Sequence, residues 1–342
     1  MTSAAPGMRL AHLNSVLVRV TVSLCLACAI AVALSQFEHV DAAGTGRFRQ
    51  AREAVPIGAD TRLLVIAPHP DDETIGAGGL MQRVRAAGGE VSVVYLTDGD
   101  GYPEGVRAED HVETPTAADY RGYGRRRKHE ARAALAALNL GRYSYRFLRF
   151  PDGGLRQLLD KYWSERRGAY RSPYTRYDRP DKPETIVPDT EYRGQDLSQE
   201  LARVIAEYRP TLVVVPRKED QHSDHCAAFF LTMDALGAVE RTGTDIRPEV
   251  VNYIVHWYAW PFEDEGTELS PPPGLRGGAS GWMRVPLTTA QQRTKRRALQ
   301  EYKTQMHVMS WFLDGFARAS EIFSRPASTT ITLPLRRNPC NE

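Results

Sequence analysis

From about residue 61 onward, short apolar runs alternate with stretches whose apolar residues recur at helical spacing. Residues 63–67 (LLVIA) and 91–96 (VSVVYL) are continuous β-prone runs, and 74–87 between them is spaced as a helix. Runs this short and unbroken predict strands covered on both faces. The rhythm continues with a helix over 125–138, a strand over 145–150, a helix over 197–208, a strand over 212–215 and a helix over 224–236. A strand over 250–258, a Pro- and Gly-rich loop over 270–281 and a long helix over 289–312 follow. Strands alternating with helices of these lengths predict an α/β fold: an open, doubly wound, mostly parallel sheet of Rossmann type with helices on both faces.

Two stretches interrupt the alternation, 99–124 and 155–196, both rich in Gly, Pro, Tyr and charge. Long irregular connections in compact domains are often functional. The second holds Tyr162, Trp163, Arg166, Arg167, Tyr170, Arg171, Tyr174, Arg176, Tyr177 and Arg179. Rings interleaved with arginines suit stacking on a sugar and pairing with an anion, and they suit a solvated insertion equally. At the N-terminus, residues 20–34 form a weakly polar to apolar run preceded by Arg9 and Arg19. Its length falls short of the about 20 apolar positions that a membrane span needs. A signal peptide is therefore expected, with Ala31-Val32-Ala33 as a small-x-small cleavage pattern. Arg47, Arg49 and Arg52 beyond it leave an uncleaved membrane anchor of either orientation open. The expected organisation is a signal peptide or anchor over 1–36, a linker over 37–60, one enzyme domain over 61–325 with a loop insertion at 155–196, and a C-terminal tail over 326–342. An exported location follows: periplasmic, extracellular or membrane-anchored.

Charge narrows the partners. Against 44 Lys and Arg stand 42 Asp and Glu, so the basic surplus that nucleic-acid binding requires is missing. Of the four cysteines, Cys25 and Cys28 lie in the leader. Cys226 and Cys340 are too few for a disulfide framework and wrongly spaced for a zinc knuckle.

The chemistry sits where apolar runs end. LLVIAPHPDDETIGAGG (63–79) carries a buried strand into His69, Asp71, Asp72 and Glu73 and then into a glycine-rich helix start. Asp220, His222, Asp224 and His225 follow the strand 212–215 in the same way. Ligands of open α/β sheets bind at the carboxyl ends of strands, so the two clusters converge. A catalytic zinc takes three His or carboxylate ligands and leaves a position open for water. His69, Asp72 and His225 can supply that set, Asp71 can accept a proton and His222 can donate one. Taken singly, Asp71 or Asp72 serves as well as an N-cap for the helix near Thr74, and either histidine as a surface or internally satisfied side chain.

The order of these pieces is similar to that of the phosphatidylinositol-glycan class L, or LmbE-like, zinc-dependent N-acetylglucosaminyl deacetylases, which include mycothiol- and bacillithiol-pathway enzymes. The matching pieces are APHPDDETIGAGG at 67–79, Thr97-Asp98-Gly99, Arg127-x-x-Glu130, Pro151-Asp152-Gly153, EYRPTLVVVP before HSDH at 222–225, and Lys295-x-x-Ala298 with Gln305. They cover most of residues 61–323. The resemblance implies Zn2+ on His69, Asp72 and His225, Asp71 as general base, and His222 as the group that stabilises or protonates the transition state. It implies Asp224 as a carboxylate orienting the His222 ring, and Arg127 and Asp152 as contacts to the sugar. A helix-surface ion pair of Arg127 with Glu130 and a turn role for Asp152 are the structural alternatives. The chain departs from the mycothiol-type pattern at Asp220, where those enzymes carry a tyrosine, and at Asn139, where a glycine usually ends the helix.

The expected activity is hydrolysis of the N-acetyl group of an N-acetylglucosamine-type sugar or glycoconjugate by a metal-bound water. His222 and protonated Asp71 are both candidates for returning a proton to the amine. Two histidines and a carboxylate also make the facial triad of non-haem iron oxygenases, whose common members use antiparallel β scaffolds. Another metal-dependent amidase, or a glycan-binding protein that keeps the fold without catalysis, are the remaining readings.

Overall fold

The computed structural model describes residues 55–342 apart from 56, 181–184, 263–266, 279–280, 332, 336 and 342. The expected leader over 1–36 and most of the linker lie outside the described residues. Among those described, no helix is long and apolar enough to cross a membrane.

Seven strands make one sheet in the order β3-β2-β1-β4-β5-β7-β6: β1 (Arg62–Ala67), β2 (Glu90–Thr97), β3 (Ser144–Phe150), β4 (Leu212–Pro216), β5 (Glu249–Tyr253), β6 (Trp282–Pro286) and β7 (Ser320–Ser324). The first five are mutually parallel. Strand β7 runs antiparallel to β5 and to β6. The helices are α1 (Asp72–Ala86), α2 (Pro103–Asp110), α3 (Ala117–Ala137), α4 (Gly194–Tyr208), α5 (Ser223–Arg241), α6 (Thr289–Leu299) and α7 (Lys303–Gly315). This is the expected doubly wound α/β fold, closed at one side by an antiparallel pair.

Alternation along the strands explains the unbroken apolar runs, because successive side chains point to opposite faces. Leu63, Val65 and Ala67 of β1 enter one core with Ile75, Leu80 and Met81 of α1, Ala134 and Leu135 of α3, and Leu299 of α6. Leu64 and Ile66 enter the other with Leu197 and Leu201 of α4 and Ala227 and Leu231 of α5. Residues 63–67 of β1 are therefore buried whichever way they face.

Several elements differ from the pattern-based reading. The interruption at 99–124 contains α2 and the first turns of α3, whose N-terminus is closed by Thr116 and Asp119. The strand expected over 250–258 stops at Tyr253. The long helix expected over 289–312 is broken between α6 and α7, where Tyr302 (φ −79°, ψ 65°) turns its ring into the core and its hydroxyl to Glu73. Strands β6 and β7 were hidden by polar residues such as Glu321. That carboxylate is buried because it accepts from Gly79 N (2.7 Å) and Leu80 N (2.8 Å) and pairs with buried Lys295 at 2.6 Å. Asn139 has φ 55°, the left-handed conformation that asparagine tolerates best after glycine, so the helix end keeps its form without the usual glycine.

Cysteine content gave no reason to expect a cross-link, yet Cys226 of α5 is bonded to Cys340 with a Cα–Cα distance of 5.5 Å. The segment read as a tail is docked: Leu333 and Cys340 belong to the second core, and Asn338 donates to Arg156 O at 2.9 Å. Within the insertion, Leu155, Leu158 and Leu159 are buried in that core, with Tyr162, Trp163 and Tyr170 packed partly buried against it. Those three rings thus contribute to the packing of that core.

Helix α1 crosses the sheet at contact distance because Gly76 faces Tyr253: a Cβ there would lie 2.3 Å from the ring. The ring is fixed by its hydroxyl, which donates to Ile66 O at 2.9 Å. Gly76→Ala is expected to destabilise the protein by about 1–3 kcal/mol through overpacking, measured by urea unfolding. An unchanged midpoint would show that the helix can ride away from Tyr253.

Candidate active site

All five parallel strands deliver residues to one crevice at their carboxyl ends. Strand β1 ends in His69 to Asp72, and β4, beside it, leads to Asp220 and His222. The connection from β1 runs to β2 on the opposite side, so the clusters meet at the switch point of the sheet, where such folds bind ligands. Asp152 follows β3 and His256 follows β5. The cavity, about 250 Å³, is lined by His69, Asp71, Asp72, Arg127, Asp152 and His222 from the expected set. Tyr102, His256, Gln305, Met309 and Phe312 complete much of its wall.

At its floor Asp72 stands between two imidazoles. Its Oδ2 lies 3.2 Å from His69 Nδ1 and 3.1 Å from His225 Nε2, and it accepts from His69 N at 2.8 Å. The far nitrogen of each ring meets another carboxylate. His69 Nε2 is 3.2 Å from Asp152 and 3.4 Å from Asp224, and His225 Nδ1 is 3.2 Å from Asp220. Metal-bound histidines are usually held in this way, with one nitrogen on the metal and the other on an acceptor.

The cluster fits a cation. Asp71, Asp72, Asp152, Asp220 and Asp224 are all buried, and the Arg127 guanidinium directly contacts only Asp71 among them. Both buried nitrogens of His225 lie at ion-pair distance from carboxylates without a hydrogen bond of proper geometry. Nitrogen and oxygen atoms of His69, His222 and His225, of Asp220, His225 and His256, and of His69, Asp152 and Asp224 form three overlapping groups within 4.8 Å. Without a metal the protons respond strongly. Burial opposes charge on His225, yet Asp220 and Asp72 push it up to about 10.

Asp71 occupies the helix N-cap position but does not cap: its side chain makes no bond to the first turn. Its φ of 127° is a conformation that side chains rarely adopt. Its N–H donates to Glu73 Oε2 at 3.2 Å, while its carboxylate accepts from Arg127 at 2.9 Å. Burial pushes this carboxyl up to about 7, against the opposing pull of Arg127. Arg127 is buried, and it also donates to Gly99 O and Pro70 O. The alternative of a surface pair with Glu130 is thereby removed, since Glu130 instead accepts from Thr304.

His222 Nδ1 accepts from Asp224 N at 3.2 Å. Burial, then repulsion from His69, His256 and His225, pushes this imidazole well below its ordinary value. The neutral ring therefore carries its proton on Nε2 as a donor. The Asp224 carboxylate does not orient His222, contrary to the resemblance: it accepts from Gly153 N (2.7 Å) and Leu155 N (3.0 Å) and approaches His69. It is the backbone of Asp224 that fixes the His222 ring. Asp152 lines the cavity but is engaged by His69 and by Gly101 N at 2.5 Å.

Residues 64–236, just over half of the 342-residue chain, match the family described as PIG-L: GlcNAc-PI de-N-acetylase. The chain belongs to the PIG-L family. It is similar to the 1D-myo-inositol 2-acetamido-2-deoxy-alpha-D-glucopyranoside deacetylase 1 of Saccharopolyspora erythraea, 30% identical over 189 residues covering 53% of this chain and 55% of that one. The deacetylase of the same description in Nakamurella multipartita is 27% identical over 266 residues, covering 72% of this chain and 80% of that one. Against the first three relatives, the chain spans about half of their length. Among solved structures it is similar to the A40926 pseudoaglycone deacetylase, with a TM-score of 0.48 and 21% identity over 78% of this chain and 96% of that one. A conserved protein of Thermus thermophilus gives a TM-score of 0.46 and 22% identity over 81% of this chain and 99% of that one.

In this PIG-L family member the residue that departs from the mycothiol-type pattern, Asp220, is fully buried at its side chain. It accepts from Val255 N (2.9 Å), His256 N (3.1 Å) and His222 N (3.0 Å) and contacts the rings of His225 and His256. His256 was not singled out from the sequence, because it fell inside the strand expected over 250–258 and a lone histidine there carries no motif.

The site makes a prediction about metal content. Asp72→Ala leaves two imidazoles of the expected ligand set and should lose most of the bound metal, whereas Asp71→Asn should keep near one ion per chain. Elemental analysis of the purified variants decides this, and retention by Asp72→Ala would remove Asp72 from the ligand set.

Proposed function

We propose that this protein is a zinc-dependent hydrolase that removes the N-acetyl group from an N-acetylglucosamine-type sugar or glycoconjugate. The observation that carries the reading is Asp71: a buried carboxylate held in a strained backbone conformation by Arg127 and Glu73, unused as a cap, and facing the cavity beside the His69-Asp72-His225 cluster. Two imidazoles and one carboxylate are the donor set of many catalytic zinc sites. Zinc held there supplies Lewis-acid polarisation of the amide carbonyl and a lowered pKa for its water.

The remaining steps fall to the chain's own residues. Asp71 takes a proton from the attacking water, and Arg127 keeps the carboxylate aimed into the cavity. The Nε2–H of His222 donates to the oxygen that gains charge as the carbonyl carbon becomes tetrahedral. When the C–N bond breaks, the proton held by Asp71 passes to the amine, so that acetate and a free amino sugar leave. The names of the relatives in Saccharopolyspora and Nakamurella, deacetylases of a 2-acetamido-2-deoxy-glucopyranoside, support the sugar class.

Acetate release from a panel of N-acetylated sugars by the zinc-loaded protein tests the activity. Asp71→Asn should lower kcat by roughly 10²- to 10⁴-fold, the range for loss of a general base. A fully active Asp71→Asn protein would overturn the assignment.

An exported location is part of the same proposal. It is supported by the apolar run over 20–34 and by the Cys226–Cys340 bond, since disulfides persist mainly in oxidising compartments. Residues 1–60 fused to a reporter that is active only after export should give signal. Retention of the fusion in the cytoplasm would refute export.

A further inference from the structure

His256 is fixed on three sides and open on the fourth. Its Nδ1 lies 3.1 Å from Asp220 Oδ1, its N–H donates to Asp220 Oδ2 at 3.1 Å, and its carbonyl accepts from Gln221 N at 3.0 Å. Phe312 stacks on the ring with centroids 5.6 Å apart and planes 21° from parallel. The side chain is 32% exposed and lines the cavity. Among the described residues Nε2 has no hydrogen-bond partner, and it is not among the buried polar atoms. The ring packs edge-on against His225 at 4.6 Å and lies 5.1 Å from His222, so it stands in the cavity wall beside the expected ligand and the proton donor.

Asp220 decides which nitrogen carries the proton. A carboxylate that already accepts three backbone N–H groups is an acceptor for His256 as well, which places the ring proton on Nδ1. The far nitrogen then presents a lone pair. His222, by the opposite arrangement, presents an N–H. The cavity thus offers one imidazole as a donor and one as an acceptor on neighbouring edges.

We infer that His256, held by Asp220, is a specificity-determining residue whose Nε2 accepts a hydrogen bond from a donor of the substrate next to the scissile carbonyl, either the amide N–H or the adjacent sugar 3-hydroxyl. This rests on the deacetylase reading above. A site that is built to receive a donor rejects analogues that lack it, because a desolvated acceptor is left unpaired. It also gives Asp220 a role suited to its position, since the side chain has no access to substrate and acts through the ring it holds.

The test compares wild type with His256→Asn, whose side-chain amide can still donate to Asp220 but which lacks the far nitrogen. Three substrates are needed: N-acetylglucosamine, its 2-O-acetyl ester counterpart and its 3-deoxy analogue. The substitution should lower kcat/KM for N-acetylglucosamine about ten-fold and leave nearly unchanged the analogue that lacks the donor received by Nε2. The ester arm identifies the amide N–H, and the 3-deoxy arm the hydroxyl. Equal losses on all three overturn the inference, as does loss of bound zinc by His256→Asn, which would mean that the residue acts only through Asp220 and His225. The same ratios read as Kd on zinc-loaded Asp71→Asn protein, with and without His256→Asn, separate this inference from the activity. If the wild type hydrolyses none of these sugars but the Kd pattern holds, the deacetylase reading falls and the role of His256 stands.

Discussion

The site depends on keeping five carboxylates ionisable inside a crevice with little solvent. Burial alone would protonate them or drive them apart. Backbone N–H groups at the ends of parallel strands and at helix starts prevent this for four of them, and the Arg127 guanidinium pairs with the fifth, Asp71. Asp72 receives His69 N, Asp152 receives Gly101 N, Asp224 receives Gly153 N and Leu155 N, and Asp220 receives Val255, His256 and His222 N. The strands deliver those donors because each ends at the same edge of the sheet, where the ladder stops and amides are left without partners.

From that arrangement follows a division of labour among four histidines of one type. His69 and His225 each lie between Asp72 and a second carboxylate, which suits them to a cation. His222 is turned by the Asp224 amide and His256 by the Asp220 carboxylate, so one offers a proton and the other a lone pair. None of these differences is intrinsic to imidazole. They come from which backbone or carboxylate atom meets Nδ1.

The supporting layer is polar where a helix needs an anchor and closely packed where it needs approach. Glu321 and Lys295 tie α1 to β7 and α6 through Gly79, Leu80 and Ile75. Gly76 lets α1 meet Tyr253, and Glu73 holds both the strained Asp71 N–H and the Tyr302 hydroxyl. The start of α1, which carries Asp71 and Asp72, is thus fixed from the sheet side and from the α6–α7 break.

The sequence by itself determined the parallel part of the sheet, because strands buried on both faces must be continuous apolar runs, and it determined which residues end β1 and β4. It also marked His69, Asp71, Asp72, His222 and His225 as a converging set, since ligands gather where such strands stop. Tertiary structure alone decided the rest. The β6–β7 pair and the break at Tyr302 rest on buried polar contacts with α1 that no local period records. The Cys226–Cys340 bond joins positions 114 residues apart, a proximity that only folding creates. The roles of Asp220, Asp224 and His256 depend on which atoms their side chains meet across neighbouring strand ends, and a spacing along one strand end carries no information about the next.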